Sequence, residues 1–441
     1  MYRCSAFVKN VRVGALVATV LALSEARLHQ YNHSQTRCDS NQNLKISPKL
    51  VAHLDPSVSV KLRGTASKAT YPANDPSEDR HVVELGVNHS SSSGAGWLSI
   101  LRSRPNESAG WNFAAVFDGH GGWQVSQLAS ERLIKEVQSQ LDFVATGKDA
   151  DTSNAIINAN VNGLKSGVVS STPSGSSTVK DFEQTRTGPI AVERSVLQAF
   201  KTVEAEYLQK VRESYRLGFG EVAKVGCCAL LAVHRGNELI IANCGDCRAV
   251  LGTAPSPTAS NGKFFTTRLT HDHNARMPLE LLTLQQEHPG EADIVVCKNA
   301  HACYVKGKLQ LTRALGDAYL KYPEFNQPNQ HRGRFIAPPY TPPYVKSTPD
   351  VHHVHLTADD KFVILASDGL WDFLSDEEAV AVVEQCLREG TANDAASKLV
   401  QRALEVAAEE CGLSMEKLRA LPPGNSRRSR HDDTTAVVLY F

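Results

Sequence analysis

The chain has 441 residues, of which 41% are hydrophobic and 21% charged, the composition of a globular protein rather than of a disordered or membrane-embedded one. Its 47 Lys and Arg side chains balance 47 Asp and Glu, so the overall charge gives no reason to expect nucleic acid or an anionic membrane as partner. The length suits one large sandwich-like domain with insertions and tails.

The first 40 residues carry Arg3, Lys9, Arg12, Arg27 and Arg37 against the single acid Glu25 before Asp39. Their apolar run, 13–23, is too short to cross a bilayer comfortably. Bases on both sides of that run and the scarcity of acids predict a targeting segment for the mitochondrial matrix over 1–40, contacting import machinery or membrane; a secretory signal or membrane anchor is the alternative. Residues 41–60 read as a linker, and 61–441 as a single domain with insertions at 145–189 and 321–349.

The first recognisable strand, "RHVVELGV" at 80–87, directly follows Glu78 and Asp79. A second, "WNFAAVF" at 111–117, runs into Asp118, Gly119, His120, Gly121 and Gly122. Antiparallel pairing of the two would bring Asp79 and Asp118 to one rim. Val125, Leu128, Ala129, Leu133, Val137 and Leu141 then recur at steps of three and four, which predicts a helix with one apolar stripe. The Ser, Thr, Gly and Asn-rich tract 145–189 has no sustained period and reads as an exposed insertion. A second helix is predicted over about 190–210, with Val192, Val196, Phe200, Val203 and Tyr207 on one face.

"GCCALLAVHRG" and "ELIIANCGDCRAVLG" are strands joined by a turn at 234–237, the second leading into Gly245 and Asp246. Cys244 and Cys247 form a C-x-x-C, read as buried thiols because no matching pair follows at zinc-like spacing. "NARMPLELLTLQQEHPGEA" predicts a short helix stopped by Pro289 and Gly290. Prolines in "FIAPPYTPPYV" exclude a central strand or helix from 321–349 and predict a rigid flap beside the site. The strand 361–367 ends at Asp368 and Gly369 with Asp372 close behind, and helices follow at about 376–388 and 393–411. Finally, Asp432 and Asp433 precede a strand at 434–440, whose antiparallel partner is expected to be 361–367.

Four strand termini thus offer carboxylates to one rim, at Asp79, Asp118, Asp368 and Asp432, with Asp246 as a fifth. Unpaired, these charges would repel and be costly to bury. Mg2+ or Mn2+ removes that objection, since hard cations favour Asp, backbone carbonyl and water oxygens. A shared Asp can bridge two ions about 4 Å apart, and a water between them is a competent nucleophile on a phosphoester, with no Ser or Cys needed. Structural Ca2+ binding is the alternative, although no EF-hand spacing is present.

In order and separation, "NDPSEDRH", "FDGHGG", "NCGDCRAVLG", "LTHDHNA", "LTRALGD", "FIAPPYTPPY", "SDGLWD" and "HDDTTAVVL" resemble the metal-dependent Ser/Thr protein phosphatases of type 2C, and within that family the pyruvate dehydrogenase phosphatase subgroup. The resemblance covers roughly residues 60–441. It implies an α+β fold, a β-sandwich of two mainly antiparallel sheets flanked by helices in four αββα layers, with two Mg2+ or Mn2+ ions at one rim. It also implies phosphoserine or phosphothreonine proteins as substrates, the pyruvate dehydrogenase complex for the subgroup. Carried over by motif, Asp79, Asp118 as the bridge, the Gly119 carbonyl, Asp368 and Asp432 are the ligands, and Glu78 acts through water. Asp246 and Asp372, with Asp368, match a weaker third metal, and His120 the general acid. Asn74 stands where many members carry a phosphate-clamping arginine; Arg80 is the substitute considered, and Arg313 is expected to anchor the flap on acids near the centre. The family's usual "GSTA" is "GCCA" at 226–229 and its terminal Asp-Asn is Asp432-Asp433, neither change removing a required ligand.

Overall fold

Apolar runs too continuous for a surface strand become strands covered on both faces. The computed structural model describes residues 64–87, 110–146, 188–255, 262–299, 302–327 and 335–441; the expected targeting segment, the linker and most of the 145–189 insertion lie outside them. In chain order the strands are β1 (Ala66–Tyr71), β2 (Arg80–Val87), β3 (Trp111–His120), β4 (Gly226–Arg235), β5 (Glu238–Cys244), β6 (Arg248–Thr253), β7 (Phe265–Arg268), β8 (Val295–Asn299), β9 (Ala302–Val305), the two-residue β10 (Leu315–Gly316), β11 (Asp350–His355), β12 (Asp360–Ala366) and β13 (Thr434–Tyr440). The longer helices are α1 (Gln124–Thr146), α2 (Pro189–Arg216), α3 (Pro278–Glu287), α4 (Asp376–Glu389) and α5 (Ala395–Glu410).

One sheet has the order β1-β13-β12-β6-β7; the other runs β11-β5-β4-β3-β2, with β10 added beside β4. Their pairings are antiparallel. Side chains alternate faces along a strand, and β12 and β13 divide accordingly. Val363, Leu365, Val437 and Leu439 join the core shared with the second sheet, α1 and α2. Phe362, Ile364, Ala366, Val438 and Tyr440 pack instead under α4 and α5. This is the expected αββα sandwich. A reciprocal Ser375–Glu378 capping box starts α4, satisfying amide donors that a helix N-terminus leaves open.

The predicted pairings are present: Arg80 lies opposite Phe117, Ala366 opposite Ala436, and Arg235 opposite Glu238 across the β4–β5 hairpin. The α2 helix runs beyond the expected 210 to Arg216. The segment "ELIIANCGDCRAVLG" differs more, because its two halves belong to different sheets. The chain changes sheets at Gly245–Cys247, where Gly245 has φ +127° and a Cβ would strike Cys228. That corner carries Asp246. Among the described residues, five strand regions are not predicted from the sequence: β1, β7, the β8–β9 hairpin with its Cys297–Cys303 disulfide, the two-residue β10, and β11. Cys244 and Cys247 are buried free thiols, as expected. No helix among the described residues is long and apolar enough to cross a membrane.

Candidate metal centre

Antiparallel pairing places the end of β3 beside the start of β2, and the end of β12 beside the start of β13. The corner after β5 arrives at the same place. Carboxylate oxygens of Asp118, Asp246 and Asp368 consequently lie within 4.8 Å of one another. At about 5 Å and an effective dielectric constant near 20, each ionised pair repels by roughly 3 kcal/mol. Three pairs approach roughly 10 kcal/mol, comparable with the whole stability of a domain. The trio therefore holds protons or a cation.

The acidities carry the same message. Burial, then the charges of Asp368 and Asp79, hold Asp118 well above the usual carboxylate range. Burial with Asp246 and Asp372 does so for Asp368. Asp79, buried and next to Asp433, is pushed up to about 8. Its Oδ2 accepts from the Ser367 hydroxyl at 2.9 Å, while Oδ1 is buried without a partner. An orphaned carboxylate oxygen and a rim of gathered carboxylates fit hard divalent cations. Asp79, Asp118, Asp246, Asp368 and Asp432 are the side chains that would hold them. Asp246, assigned by resemblance to a weaker third ion, shares the space of Asp118 and Asp368; Asp372 stands exposed behind them, its amide donating to the Asp368 carbonyl at 2.8 Å.

Gly119 is forced by close approach: a Cβ would come within 2.5 Å of the Glu78 carbonyl. Glu78 is drawn to Arg428 at 3.2 Å, and burial outweighs that cation to raise its pKa. Asp432 receives Arg428 at 3.3 Å and the Asn74 amide at 3.3 Å. Arg428, unremarked in the sequence, is thus the cation that reaches these rim acids. Arg80 is engaged elsewhere, donating to Gln127 at 2.7 Å, Ser77 O at 2.8 Å and Asp79 O at 2.7 Å. It braces the loop before β2. Arg313 also departs from expectation: its acid is Asp350 at the start of β11, 2.6 Å away, not a carboxylate of the centre. It does hold the end of the proline-rich segment, through Thr348 O at 3.1 Å.

Two further carboxylates organise the rim. Asp433 accepts from the amides of Ala73 (2.6 Å), Asn74 (2.8 Å), Glu78 (2.6 Å) and Asp79 (3.3 Å), and from the Ser77 hydroxyl (2.9 Å). It folds the whole Asp79 loop around one side chain. Although buried, it stays below the usual range because those donors favour its charged form. Asp317, fully buried with φ +47°, meets His120 Nε2 at 2.7 Å. Burial disfavours a charged ring, but the Asp317 charge and hydrogen bond outweigh it and raise the His120 pKa. Gly226 makes room, since a Cβ there would strike both partners. The corner is braced in turn by His273, which accepts from the Gly245 amide at 3.2 Å, and by Asn274, which donates to Asp246 at 3.0 Å.

A cluster of uncompensated carboxylates beside a histidine whose protonated form is favoured by Asp317 suits phosphoester hydrolysis by hard cations, and comparison with known proteins agrees. The profile of the family described as Protein phosphatase 2C matches residues 77–412. Probable protein phosphatase 2C 68 of Arabidopsis thaliana is 35% identical over 378 residues, covering 86% of this chain and 78% of that protein. Probable protein phosphatase 2C 28 of Oryza sativa subsp. japonica is 36% identical over 378 residues with the same coverage of both chains. The crystal structure of a serine-threonine phosphatase 2C from Toxoplasma gondii superposes with a TM-score of 0.50 at 20% identity, over 85% of this chain and 94% of that one, a likeness of fold. With the family profile spanning most of the folded region and the acids gathered at its rim, this chain belongs to the protein phosphatase 2C family and is a protein serine/threonine phosphatase.

Proposed function

We propose that the rim hydrolyses phosphoserine and phosphothreonine esters of proteins using two Mg2+ or Mn2+ ions, with His120 protonating the departing alkoxide. The observation that carries this reading is the Asp118–Asp246–Asp368 cluster, whose charges lie too close to stand together without cations or protons. Such cations, when bound, neutralise the carboxylates and polarise the phosphate and an attacking water. The chain's own residues do the rest. Asp433 fixes the loop that presents Glu78 and Asp79. Asp317 holds His120 Nε2 and favours the protonated ring, which leaves the other ring nitrogen to give its proton to the leaving oxygen. Arg428 supplies positive charge at the rim for the incoming phosphate, so its loss is expected to raise KM more than it lowers kcat. The direct test is release of phosphate from a phosphoserine protein by the purified chain. Activity should appear with Mn2+ or Mg2+ and vanish with chelator; turnover indifferent to chelator would sink the reading.

The finer proposal is a substrate in the mitochondrial matrix, the pyruvate dehydrogenase complex. It is supported by the base-rich, acid-poor first 40 residues and by Asn74, which the resembling subgroup shares. A fusion carrying residues 1–40 should accumulate in mitochondria and be shortened there, and secretion or a uniform cytosolic signal would refute the compartment.

A further inference from the structure

Beneath the carboxylates lies a second set of potential ligands of different chemistry. Cys228 on β4 and Cys247 at the sheet-changing corner are both buried free thiols, 2% and 0% exposed. Their sulfur atoms and one oxygen of Asp118 lie within 4.8 Å of one another. The Cys228 thiol also donates to Asp246 Oδ1 at 3.3 Å. Two sulfurs and one carboxylate, from β3, β4 and the corner, therefore surround one point, and Asp246 borders it through Cys228.

We propose that Cys228, Cys247 and Asp118, with Asp246 at their edge, form a second metal site that takes a thiophilic divalent cation, zinc or cadmium, and that filling it switches the phosphatase off. Tetrahedral zinc sits about 2.3 Å from sulfur and about 2.1 Å from carboxylate oxygen, which puts ligand atoms roughly 3.5 Å apart. Sulfurs and an oxygen already within 4.8 Å need only close by about an ångström. Thiolates select soft cations, whereas Mg2+ and Mn2+ are served by oxygen, so the two ligand sets choose different metals. As the cation bonds sulfur, each thiol gives its proton to solvent, which leaves a neutral dithiolate complex before the carboxylates are counted. Asp118 belongs to both sets. A soft cation that occupies Asp118 withdraws an oxygen from the hard-cation centre, and this inhibitory consequence rests on the proposed metal-dependent mechanism. The neighbouring thiols do not share the arrangement: Cys227 turns its sulfur to the Cys228 carbonyl and Cys244 to the Lys346 carbonyl at 3.7 Å.

The test uses the full chain with its Cys297–Cys303 disulfide intact, stripped of metal and titrated with Cd2+, reading the ultraviolet sulfur-to-cadmium charge-transfer absorption. One strong equivalent is expected in the wild type and in Cys227→Ser. It should be lost in Cys228→Ser and in Cys247→Ser, the second substitution lying on the corner rather than in a strand. Zinc X-ray absorption on the wild-type chain needs no variant and should show two sulfur neighbours at about 2.3 Å. In the phosphatase assay with excess Mn2+, the cadmium concentration that halves activity should rise about tenfold or more in each Cys variant relative to its own uninhibited rate. Absorption unchanged in both variants, or zinc with oxygen and nitrogen neighbours alone, overturns the site. Failure of Mn2+-dependent turnover would count against the mechanism instead, while leaving the cadmium absorption as expected.

Discussion

Buried acids occur in two settings in this molecule, and they are treated in opposite ways. In the scaffold each arrives with its partner: Glu204 meets Lys321 at 2.6 Å, Glu291 meets Lys306 at 2.8 Å, Asp272 meets Arg248 at 3.0 Å, and Asp360 accepts from the Thr253 hydroxyl at 2.6 Å and the Thr357 amide at 2.8 Å. Lys306 and the Thr341 and Tyr344 hydroxyls overcome burial and hold Glu291 below its ordinary value. At the rim, Asp79, Asp118 and Asp368 have chiefly other acids for neighbours, and all three are pushed upward. Nothing in folding requires that arrangement, since a sandwich corner could be closed with neutral side chains. The difference teaches where stability has been given up for chemistry: scaffold acids arrive with a counter-charge or hydrogen-bond donors, and rim acids await their counter-charge from solution.

The sharpest way to break this contrast is to neutralise one acid in each setting. Asp118→Asn is expected to keep the fold and lower turnover by about 10³ or more in saturating Mn2+, because the charge shared between cations is gone. Wild-type turnover with unchanged Mn2+ affinity would remove Asp118 from the centre. Asp433→Ala probes an acid on the border between the settings, charged but satisfied by backbone donors. Leaving those buried donors open should cost roughly 3 kcal/mol in urea melts and weaken Mn2+ binding together. A change in one without the other would show that Asp433 does not act by folding the Asp79 loop.

His120→Ala isolates the chemistry from the charge balance. Serine and threonine leave as poor alkoxides and need a proton, while a phenolate of low pKa does not. The loss should be about 10² on a phosphoserine peptide and much smaller on an aryl phosphate. Equal losses on both, measured alongside a metal titration, would point to displaced packing around Asp317 and end the general-acid role.

The last contrast is in pH dependence, and here the two settings should slope in opposite directions. An acid whose folded pKa exceeds its unfolded one binds more protons in the fold, so stability falls as pH rises between the two values. Asp79, at about 8 against an ordinary value near 4, makes the chelated protein lose stability from about pH 4 to about pH 8. Asp350 is the reverse: the His273 hydrogen bond, with Arg313 adding charge, holds it at about 2. Its contribution is present above about pH 4 and lost as pH falls toward about 2. Being half-exposed, that pair contributes under about 1 kcal/mol. Urea midpoints across pH should show both slopes, Asp350→Asn removing the acid one and Mn2+ opposing the other; a chelated protein that gains stability toward pH 8 would be inconsistent with uncompensated rim acids.

Much of this was legible because the signals were local. An apolar run ending in Asp-Gly marks a buried strand that delivers an acid to an edge, and this occurs at Asp118 and Asp368. Antiparallel pairing then brought Asp79 and Asp432 to the same rim. What the sequence hid was relational. Asp433 contacts Ala73 from 360 positions away, and Asp317 contacts His120 from 197. Neither carries a local pattern to announce it. Arg428 sits in a polar stretch, "NSRRSRH", where one arginine looks like another until the chain folds back on Asn74 and Glu78. The strands β1 and β11 stayed hidden because "ASKATY" and "DVHHVH" lie at sheet edges, partly exposed and without apolar alternation.

The central claim, that the rim is held at a cost until cations arrive, is tested most directly by the urea midpoint of wild type, Asp118→Asn and Glu204→Gln, each with chelator and then with Mn2+. In chelator, Asp118→Asn should be more stable than wild type by about 1 kcal/mol or more, as repulsion is relieved. Glu204→Gln should be less stable by about 3 kcal/mol, because Lys321 is left buried and unpaired. Mn2+ should then stabilise wild type and Glu204→Gln by mass action, and Asp118→Asn far less. A chelated Asp118→Asn destabilised as Glu204→Gln is, with Mn2+ indifferent to the substitution, would mean that the rim acids are ordinary scaffold and would contradict the account.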